Sequence, residues 1–406
     1  MPRPATLTQR LVGAATGLLL AAPALGAGDS GIKIGEGRLH PYLELEGRWN
    51  SNVLYSQSVR TSDLILHFRP GFKLEVPGQM FAVDLDANVD WNQYLGLDSK
   101  QTKDLSKLYA NATLGLGVNR NGMVGLEVTD GFRRSDTTPS LSIGAGVISD
   151  LNDLELKVPI RPGGGTLMLT LGGNWILETF EPLVATAGCT TDPLCNPATI
   201  SQYGYSQYGA LAEVNWKFLP KTALVLNGSY FTRQPTNTTV SLAVSGWRAT
   251  GGLAGLVTPR FAATVKGGYG STTEGPKYST WLADVEAEYV TPGPVGARIG
   301  YVHDYNADPG VAYAVYAFHR VYVQGKLLVA GRLTVRLTGD WERVEYVQNA
   351  ATAQIAHVEP AIDYELMRWV VLTAGYAATY RTASVTTVPA FNYTQNEMYL
   401  RATFTY

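Results

Sequence analysis

The strict alternation of apolar and polar side chains over residues 81–92 limits the possible folds more than any other feature of the chain. One set comprises Phe81, Val83, Leu85, Ala87, Val89 and Trp91, and the other comprises Asp84, Asp86, Asn88, Asp90 and Asn92. A period of two places the two sets on opposite faces of a β-strand. Three aspartates cannot lie in the dry interior of a soluble β-sandwich, because burying unpaired carboxylates is costly. The pattern therefore predicts a strand with one face in lipid and the other in water.

The same design of about ten alternating residues, a turn, ten more residues and a longer polar loop repeats along the chain and gives about 18 strands, with 16 also within the error of this count. Such repetition is the signature of a transmembrane barrel. A membrane allows no open sheet edges, because unpaired backbone groups find no water there. The sequence thus predicts an all-β, transmembrane antiparallel β-barrel of about 18 strands. No change in composition marks a separate plug or periplasmic domain.

The N-terminus resembles a secretory signal peptide. Arg3 and Arg10 supply positive charge, residues 11–20 are apolar, and small residues at 22–26 offer a cleavage site. We assign residues 1–27 to the signal peptide, 28–38 to a linker and 39–406 to the barrel. An exported barrel belongs in the bacterial outer membrane of a Gram-negative cell.

Composition supports a membrane protein and argues against several other classes. Charged residues make up only 16% of the chain, whereas there are 23 Tyr and 8 Trp, which favour membrane interfaces. No apolar run is long enough for a transmembrane helix. A net charge of −2 argues against nucleic acid as a partner. Cys189 and Cys195 are predicted to form a loop disulfide, since an exported chain can oxidise them. We expect no metal and no cofactor.

The last ten residues form a predicted strand that stops on an aromatic residue. Its apolar face holds Met398, Leu400, Ala402, Phe404 and Tyr406. A soluble edge strand could share this pattern. However, the stretch resembles the terminal strand by which outer-membrane barrels are recognised for insertion. This resemblance implies an assembly signal at Leu400, Phe404 and Tyr406, with the barrel-assembly machinery and outer-membrane lipid as partners.

A barrel of 16 to 18 strands is wide enough for an aqueous lumen, and the polar strand faces should line it. The charged residues predicted to line this pore are Arg69, Lys73, Asp84, Asp86, Asp90, Asp284, Glu286, Glu288, Arg320, Lys326, Arg336, Glu359, Asp363 and Arg401. They either brace the inner wall or contribute to selectivity. Four lumen tyrosines either fill the wall or stack on sugar rings, namely Tyr94, Tyr109, Tyr322 and Tyr399.

One local pattern is more specific than composition. Trp49-Asn-Ser-Asn-Val53 ends the first strand, and Ser62-Asp-Leu-Ile-Leu-His-Phe-Arg-Pro-Gly-Phe72 opens the second. These segments resemble the start of a family of bacterial outer-membrane β-barrel porins associated with exopolysaccharide export. The resemblance implies an export conduit without catalytic residues. It further implies a periplasmic polysaccharide-export protein and the polysaccharide polymer as partners.

Two other functions remain open at this point. The barrel could be a general or solute-specific diffusion porin, or a non-conducting surface or adhesion barrel that acts through its loops. An outer-membrane enzyme is the least favoured class. None of the five histidines, His40, His67, His303, His319 and His357, lies in a recognisable nucleophile motif.

Overall fold

The structure is a computed structural model that describes residues 31–57, 59–136, 143, 147–183, 197–289, 293–310, 314–384 and 392–406. The predicted signal peptide, Cys189 and Cys195 lie outside the described residues. The predicted disulfide therefore remains a prediction.

After a short strand β1 (Ile32–Ile34), eighteen strands of 10 to 16 residues follow one another along the chain. They are β2 (Gly37–Asn50), β3 (Asp63–Val76), β4 (Phe81–Tyr94), β5 (Lys107–Val118), β6 (Leu126–Ser135), β7 (Val147–Ile160), β8 (Leu167–Pro182), β9 (Tyr205–Leu219), β10 (Thr222–Pro235), β11 (Val244–Thr258), β12 (Phe261–Glu274), β13 (Ser279–Tyr289), β14 (Val295–Ala307), β15 (Val315–Val329), β16 (Leu333–Tyr346), β17 (Thr352–Met367), β18 (Val370–Ala383) and β19 (Tyr393–Thr405). The described helices are short, with three to six residues each, at Lys100–Leu105, Pro162–Gly164, Pro197–Ile200 and Ser201–Tyr203. None of the helices in the described part of the chain has the length and apolarity needed to span a bilayer.

The strands β2 to β19 form one closed antiparallel barrel. Each strand pairs with the next in sequence, and β19 pairs with β2 from Glu397↔Asn50 to Thr405↔Tyr42. The predicted number of 18 strands is confirmed, as is the closure of the last strand against the first. Closure leaves no strand of the ring with an unpaired edge, as a membrane requires.

The segment predicted to be a linker contains regular structure. Strand β1 pairs with the start of β2, with Ile32 opposite Leu39, and β2 itself begins at Gly37. All described strands other than β1 belong to the barrel wall.

The two faces of the wall differ as the alternation predicts. Outward side chains such as Phe81, Trp91 and Met398 are about half exposed. Their inward neighbours Asp90 and Tyr399 are at most 7% exposed. Every barrel strand therefore presents apolar groups outside and mostly polar groups inside.

The connections distinguish the two ends of the barrel. Eight connections have two to seven residues and lie at one end, which we call the turn end. Nine connections have four to 22 residues and lie at the other, which we call the loop end. In outer-membrane barrels, short turns face the periplasm and longer loops face outward.

Candidate functional site

The lumen wall is organised around Glu46, whose side chain is fully buried. The Nε atoms of Arg48 and Arg401 lie 2.7 and 2.6 Å from its two carboxylate oxygens. Arg48 also reaches Glu397 at 3.1 Å. A carboxylate removed from water needs such charge-assisted hydrogen bonds. These contacts link β2 to β19, the two strands that close the barrel.

A second set of ion pairs joins β2, β3 and β4. Arg69 lies 2.5 Å from Glu44 and 2.6 Å from Asp90. His67 Nδ1 lies 3.2 Å from the same Asp90 carboxylate. Arg69 thus bridges carboxylates of both neighbouring strands.

The remaining wall carries further pairs between adjacent strands. These are Lys73–Asp86 at 3.3 Å, Lys266–Asp284 at 2.7 Å, Arg298–Glu288 at 3.3 Å, Arg320–Asp340 at 3.9 Å and Arg336–Asp363 at 2.5 Å. Glu359 accepts a hydrogen bond from Tyr399 at 2.5 Å. Each of these ion pairs joins an acidic and a basic side chain, so this part of the wall carries charges of both signs.

All fourteen residues that the sequence predicts to line the pore lie on inward strand faces, in register with the pairs described above. Lys326, for example, lies opposite Arg336. They lie on seven strands of the arc that runs from β13 through β19 to β4, and none of them lies on β5–β12. Sequence reasoning missed Glu44, Glu46, Arg48 and Glu397, although each occupies a polar position of an alternating strand. A polar position in an alternating strand predicts that a side chain faces the lumen, but it does not predict which carboxylate is buried.

The same arrangement of a tyrosine, a glycine and a carboxylate on three adjacent strands occurs at three places in the lumen wall. Tyr42, Tyr322 and Tyr399 lie opposite Gly71, Gly300 and Gly375 in the ladders. A Cβ atom at any of these glycines would lie 2.2 to 2.3 Å from the Cζ atom of the ring. Each ring therefore lies flat on the bare backbone of a glycine, which packs the wall where no side chain exists.

The hydroxyl group of each tyrosine then donates to a carboxylate one strand further on. Tyr42 donates to Asp86 at 3.1 Å, Tyr399 donates to Glu359, and Tyr322 donates to Glu286. This arrangement holds three of the predicted pore-lining carboxylates against the wall. The rings of Tyr322 and Tyr399 are wall elements, which favours the wall-filling interpretation over stacking on sugars. Tyr94 and Tyr109 are also covered, at 5% exposure each.

The loop end is filled by apolar side chains that form four buried clusters. The first comprises Val53, Tyr55, Ile65, Tyr94, Leu105, Tyr109, Ile148, Leu183 and Tyr393. The second comprises Val344, Tyr346, Ala351, Ala353 and Ile355, and the third Ile143, Val147, Leu151, Ile176, Phe180, Ile200 and Tyr205. The fourth comprises Phe231, Val244, Leu282, Tyr305, Ala307, Ala314 and Val315. All four join strand ends to the adjacent loops, so the loops fold onto the wall.

The fourth cluster shows that the β14–β15 hairpin bends into the barrel. The β13–β14 ladder ends at Ala283↔His303, although β14 continues to Ala307. Tyr305 of β14 is fully buried and donates to the carbonyl oxygens of Trp247 and Ser271, on β11 and β12. These strands lie beyond β13, so Tyr305 reaches them only across the interior.

Glycines and arginines of the inner wall hold this hairpin. A Cβ atom at Gly246 or Gly270 would lie 2.6 Å from the Tyr305 ring or hydroxyl, so both glycines are needed for the ring to seat. Arg248 pairs with Asp304 at 2.9 Å and donates to the Tyr305 carbonyl at 2.6 Å. Its guanidinium also lies over the Phe231 ring, 4.8 Å from the centroid.

Arg233 makes a second contact with the hairpin, since it donates a hydrogen bond to the Ala307 carbonyl at 2.6 Å. Its guanidinium also lies 3.8 Å from the centroid of the Tyr205 ring. We call the hairpin segments 304–310 and 314–318, with their seat on β10–β13, the loop-end constriction. It narrows the lumen at the end where the chain has its longest connections. Sequence reasoning did not find it, because Tyr305 reads as an ordinary outward position of an alternating strand.

The predicted assembly-signal residues lie on the outer surface of the last strand. Leu400 and Tyr406 are 70% and 68% exposed. The Phe404 ring lies 6.3 Å from that of Trp369 near the turn end, and the Tyr406 amide donates to the Pro41 carbonyl at 3.1 Å. Their role in assembly remains a prediction.

Comparisons with solved structures find outer-membrane barrels at low sequence identity. OccAB3 of Acinetobacter baumannii is 11% identical, with 92% of this chain and 100% of that chain covered and a TM-score of 0.48. The ferric enterobactin receptor of Pseudomonas aeruginosa is 9% identical, with 91% and 80% covered and a TM-score of 0.47. A loop-deletion variant of OmpT from Vibrio cholerae is 14% identical, with 91% and 100% covered and a TM-score of 0.40.

A comparison with curated protein sequences finds no significant match. A family model does match, described as "Putative beta-barrel porin 2", over residues 27–276. The match spans more than half of the chain and agrees with the closed 18-stranded barrel and its polar lumen. The chain therefore belongs to the Putative beta-barrel porin 2 family and is a porin-like β-barrel of the outer membrane.

Proposed function

We propose that the barrel is a gated conduit through which a hydrophilic polymer, an exopolysaccharide, leaves the cell. In this proposal the polymer enters at the turn end and leaves past the loop-end constriction. The width of the ring supports the proposal, since 16 or more strands can enclose an aqueous channel. The ion pairs of the lumen wall also support the proposal, because a wall whose charges are paired neither binds a polar polymer tightly nor repels it.

The loop-end constriction is the observation that carries the proposal. A diffusion porin needs a lumen that stays open at rest. Here Tyr305 is fully buried against the inner face of β11 and β12, and Arg233 and Arg248 hold the backbone around it. A hairpin that is held inside the mouth by these contacts is compatible with a conduit that opens only for its polymer. The resemblance of residues 49–72 to exopolysaccharide-associated porins favours the same substrate class.

The periplasmic partner in this proposal is a polysaccharide-export protein that delivers the polymer to the turn end. The conduit itself contributes no chemical step. Its contribution is a wetted path across the membrane, and an opening that depends on releasing the β14–β15 hairpin.

A gene-deletion experiment tests the substrate. We expect the deletion strain to lose surface polysaccharide while its uptake of small solutes is unchanged, and expression of the intact chain to restore the polysaccharide. Normal surface polysaccharide in the deletion strain would reject export. Loss of small-solute uptake instead would identify a diffusion porin.

Planar-bilayer conductance tests the gate. The intact protein should conduct weakly, and Tyr305→Ala should raise single-channel conductance several-fold, because the hairpin loses its seat. Tyr230→Ala is the matched control, since Tyr230 lies on the outer face of β10 and is 45% exposed. Equal conductance in the intact protein and both variants would show that the hairpin is not the limiting aperture.

A further inference from the structure

The described turns at the turn end carry basic residues and no acidic residue. These basic residues are Arg120, Arg161, Lys221, Arg260, Arg332 and Arg368. Arg120 is engaged, since it lies 3.1 Å from Asp84, whereas Arg332 and Arg368 are exposed. Exposed arginines at the level of the headgroups attract phosphate.

Arg332 and Arg368 belong to neighbouring turns on either side of the end of β17. The Glu365 amide of β17 donates to the Arg332 carbonyl at 2.9 Å, which fixes the first turn against this strand. Arg368 follows the last residue of β17 directly, and the exposed Trp369 follows Arg368. Two guanidinium groups and an interfacial indole therefore share one short arc of the rim.

An apolar groove of about 390 Å³ lies on the outer wall above this arc. Two rows of the ladders form it, Tyr364–Leu372–Ala402–Leu45 and Ile362–Ala374–Leu400. Ala374 and Ala402 are the small members, between Tyr364 and Ile362 on one side and Leu45 and Leu400 on the other. The groove crosses β19 and β2, so it covers the seam at which the barrel closes.

We propose that this groove and the two arginines form a binding site for one phospholipid of the periplasmic leaflet. The phosphate lies between Arg332 and Arg368, the glycerol backbone lies at the level of Trp369, and one acyl chain fills the groove. Arginine suits phosphate because its planar fork donates two hydrogen bonds at once. This inference rests on the position of the barrel in the membrane and does not depend on polymer export.

Phospholipid fits better than a protein partner for two reasons. The groove lies within the apolar outer face, where acyl chains are the surrounding medium. The charge at its lower end is positive and lies at the turn end, which faces the periplasm in barrels of this kind. A bound lipid across β19 and β2 would stabilise the closure of the ring.

Native mass spectrometry of the mature protein with added palmitoyl-oleoyl phosphatidylglycerol tests the site. We expect one lipid to remain bound to the intact protein. Arg332→Gln with Arg368→Gln should weaken retention at least tenfold, as should Ala402→Leu, which fills the groove. The matched controls lie at the start of β12, where Arg260 and Phe261 repeat the order of Arg368 and Trp369, and Ala263 is an outward alanine. Arg260→Gln and Ala263→Leu should leave retention unchanged.

Each outcome has a defined meaning. Retention that falls equally in the β12 variants would show only general annular lipid and would overturn the proposal. A dimer of the intact protein that Ala402→Leu converts to monomer would assign the groove to a second copy, again against the proposal. Heat-modifiable migration on gels confirms that each variant is folded, so a loss of lipid cannot be mistaken for a loss of the barrel.

Discussion

The two ends of the barrel use the same strands in opposite ways. At the loop end, Tyr305, Val315 and other apolar residues turn inward and are fully buried. At the turn end, inward carboxylates remain wet, and the Asp84 side chain is 57% exposed. Alternation sets which face of a strand looks inward, but it does not set what fills the space. The β14–β15 connection has seven residues, no more than the longest turn, and this hairpin bends inward because Tyr305 seats on Gly246 and Gly270.

The strongest contrast along the lumen is between the carboxylates of Glu46, four residues from the loop end of β2, and Asp84, three residues from the turn end of β4. Glu46→Gln should lower the free energy of unfolding by about 3–5 kcal/mol, because Arg401 loses its carboxylate partner and Arg48 keeps only Glu397. Asp84→Asn should change it by less than about 1 kcal/mol, since its pair with Arg120 is exposed to water. Urea unfolding in detergent micelles measures the free energy of unfolding of both variants. Similar decreases in the two variants would contradict the expected difference between the two carboxylates.

A smaller effect is expected where a glycine is covered by a tyrosine. Gly375→Ala should cost about 1–3 kcal/mol, because its Cβ would meet the Tyr399 ring and displace it from the wall. Gly325→Ala is the control, since no atom lies within 4 Å of the position of its Cβ. The temperature of the heat-modifiable gel shift reports the difference. An unchanged temperature for Gly375→Ala would show that the ring does not depend on the bare backbone.

The outward residues of the last strand should affect the amount of barrel rather than its stability. Replacing both Phe404 and Tyr406 by Ser should reduce the protein found in the outer membrane, because the terminal aromatic pattern is the predicted assembly signal. The barrel that does assemble should conduct like the intact protein. Membrane fractionation gives the amount, and Leu54→Ser, a change at an exposed apolar residue in a loop, is the control. Normal membrane levels of the double variant would remove the assembly prediction.

The smallest effect is expected for an exposed pair near the turn end. Lys73 and Asp86 lie 3.3 Å apart, and both side chains are about 40% exposed. Lys73→Gln should change stability by less than about 1 kcal/mol, and the change should shrink further in high salt. Urea unfolding at two salt concentrations tests this. A loss as large as that of Glu46→Gln would show that the turn end is as dry as the loop end.

The sequence by itself determined the class of fold and the outline of the lumen. Period-two alternation was enough to place Asp84, Asp86 and Asp90 on one face and Phe81 and Trp91 on the other. Repetition of that alternation gave the 18 strands, and the contrast between short and long connections gave the two ends. These features are local, since they depend on the geometry of a single strand and its nearest turn.

Only the tertiary structure decided which polar residues are buried and where the lumen narrows. Glu46 meets Arg401 across the closing seam, and Tyr305 meets Gly246 and Gly270 across the interior. Such partners lie far apart in sequence and become neighbours only once the ring has closed. Period-two alternation predicts which face of a strand a residue occupies. It does not predict the residue's partners across the barrel, or where a strand bends away from the wall. The inward face of each strand was therefore predictable, but the buried ion pairs and the constriction were not.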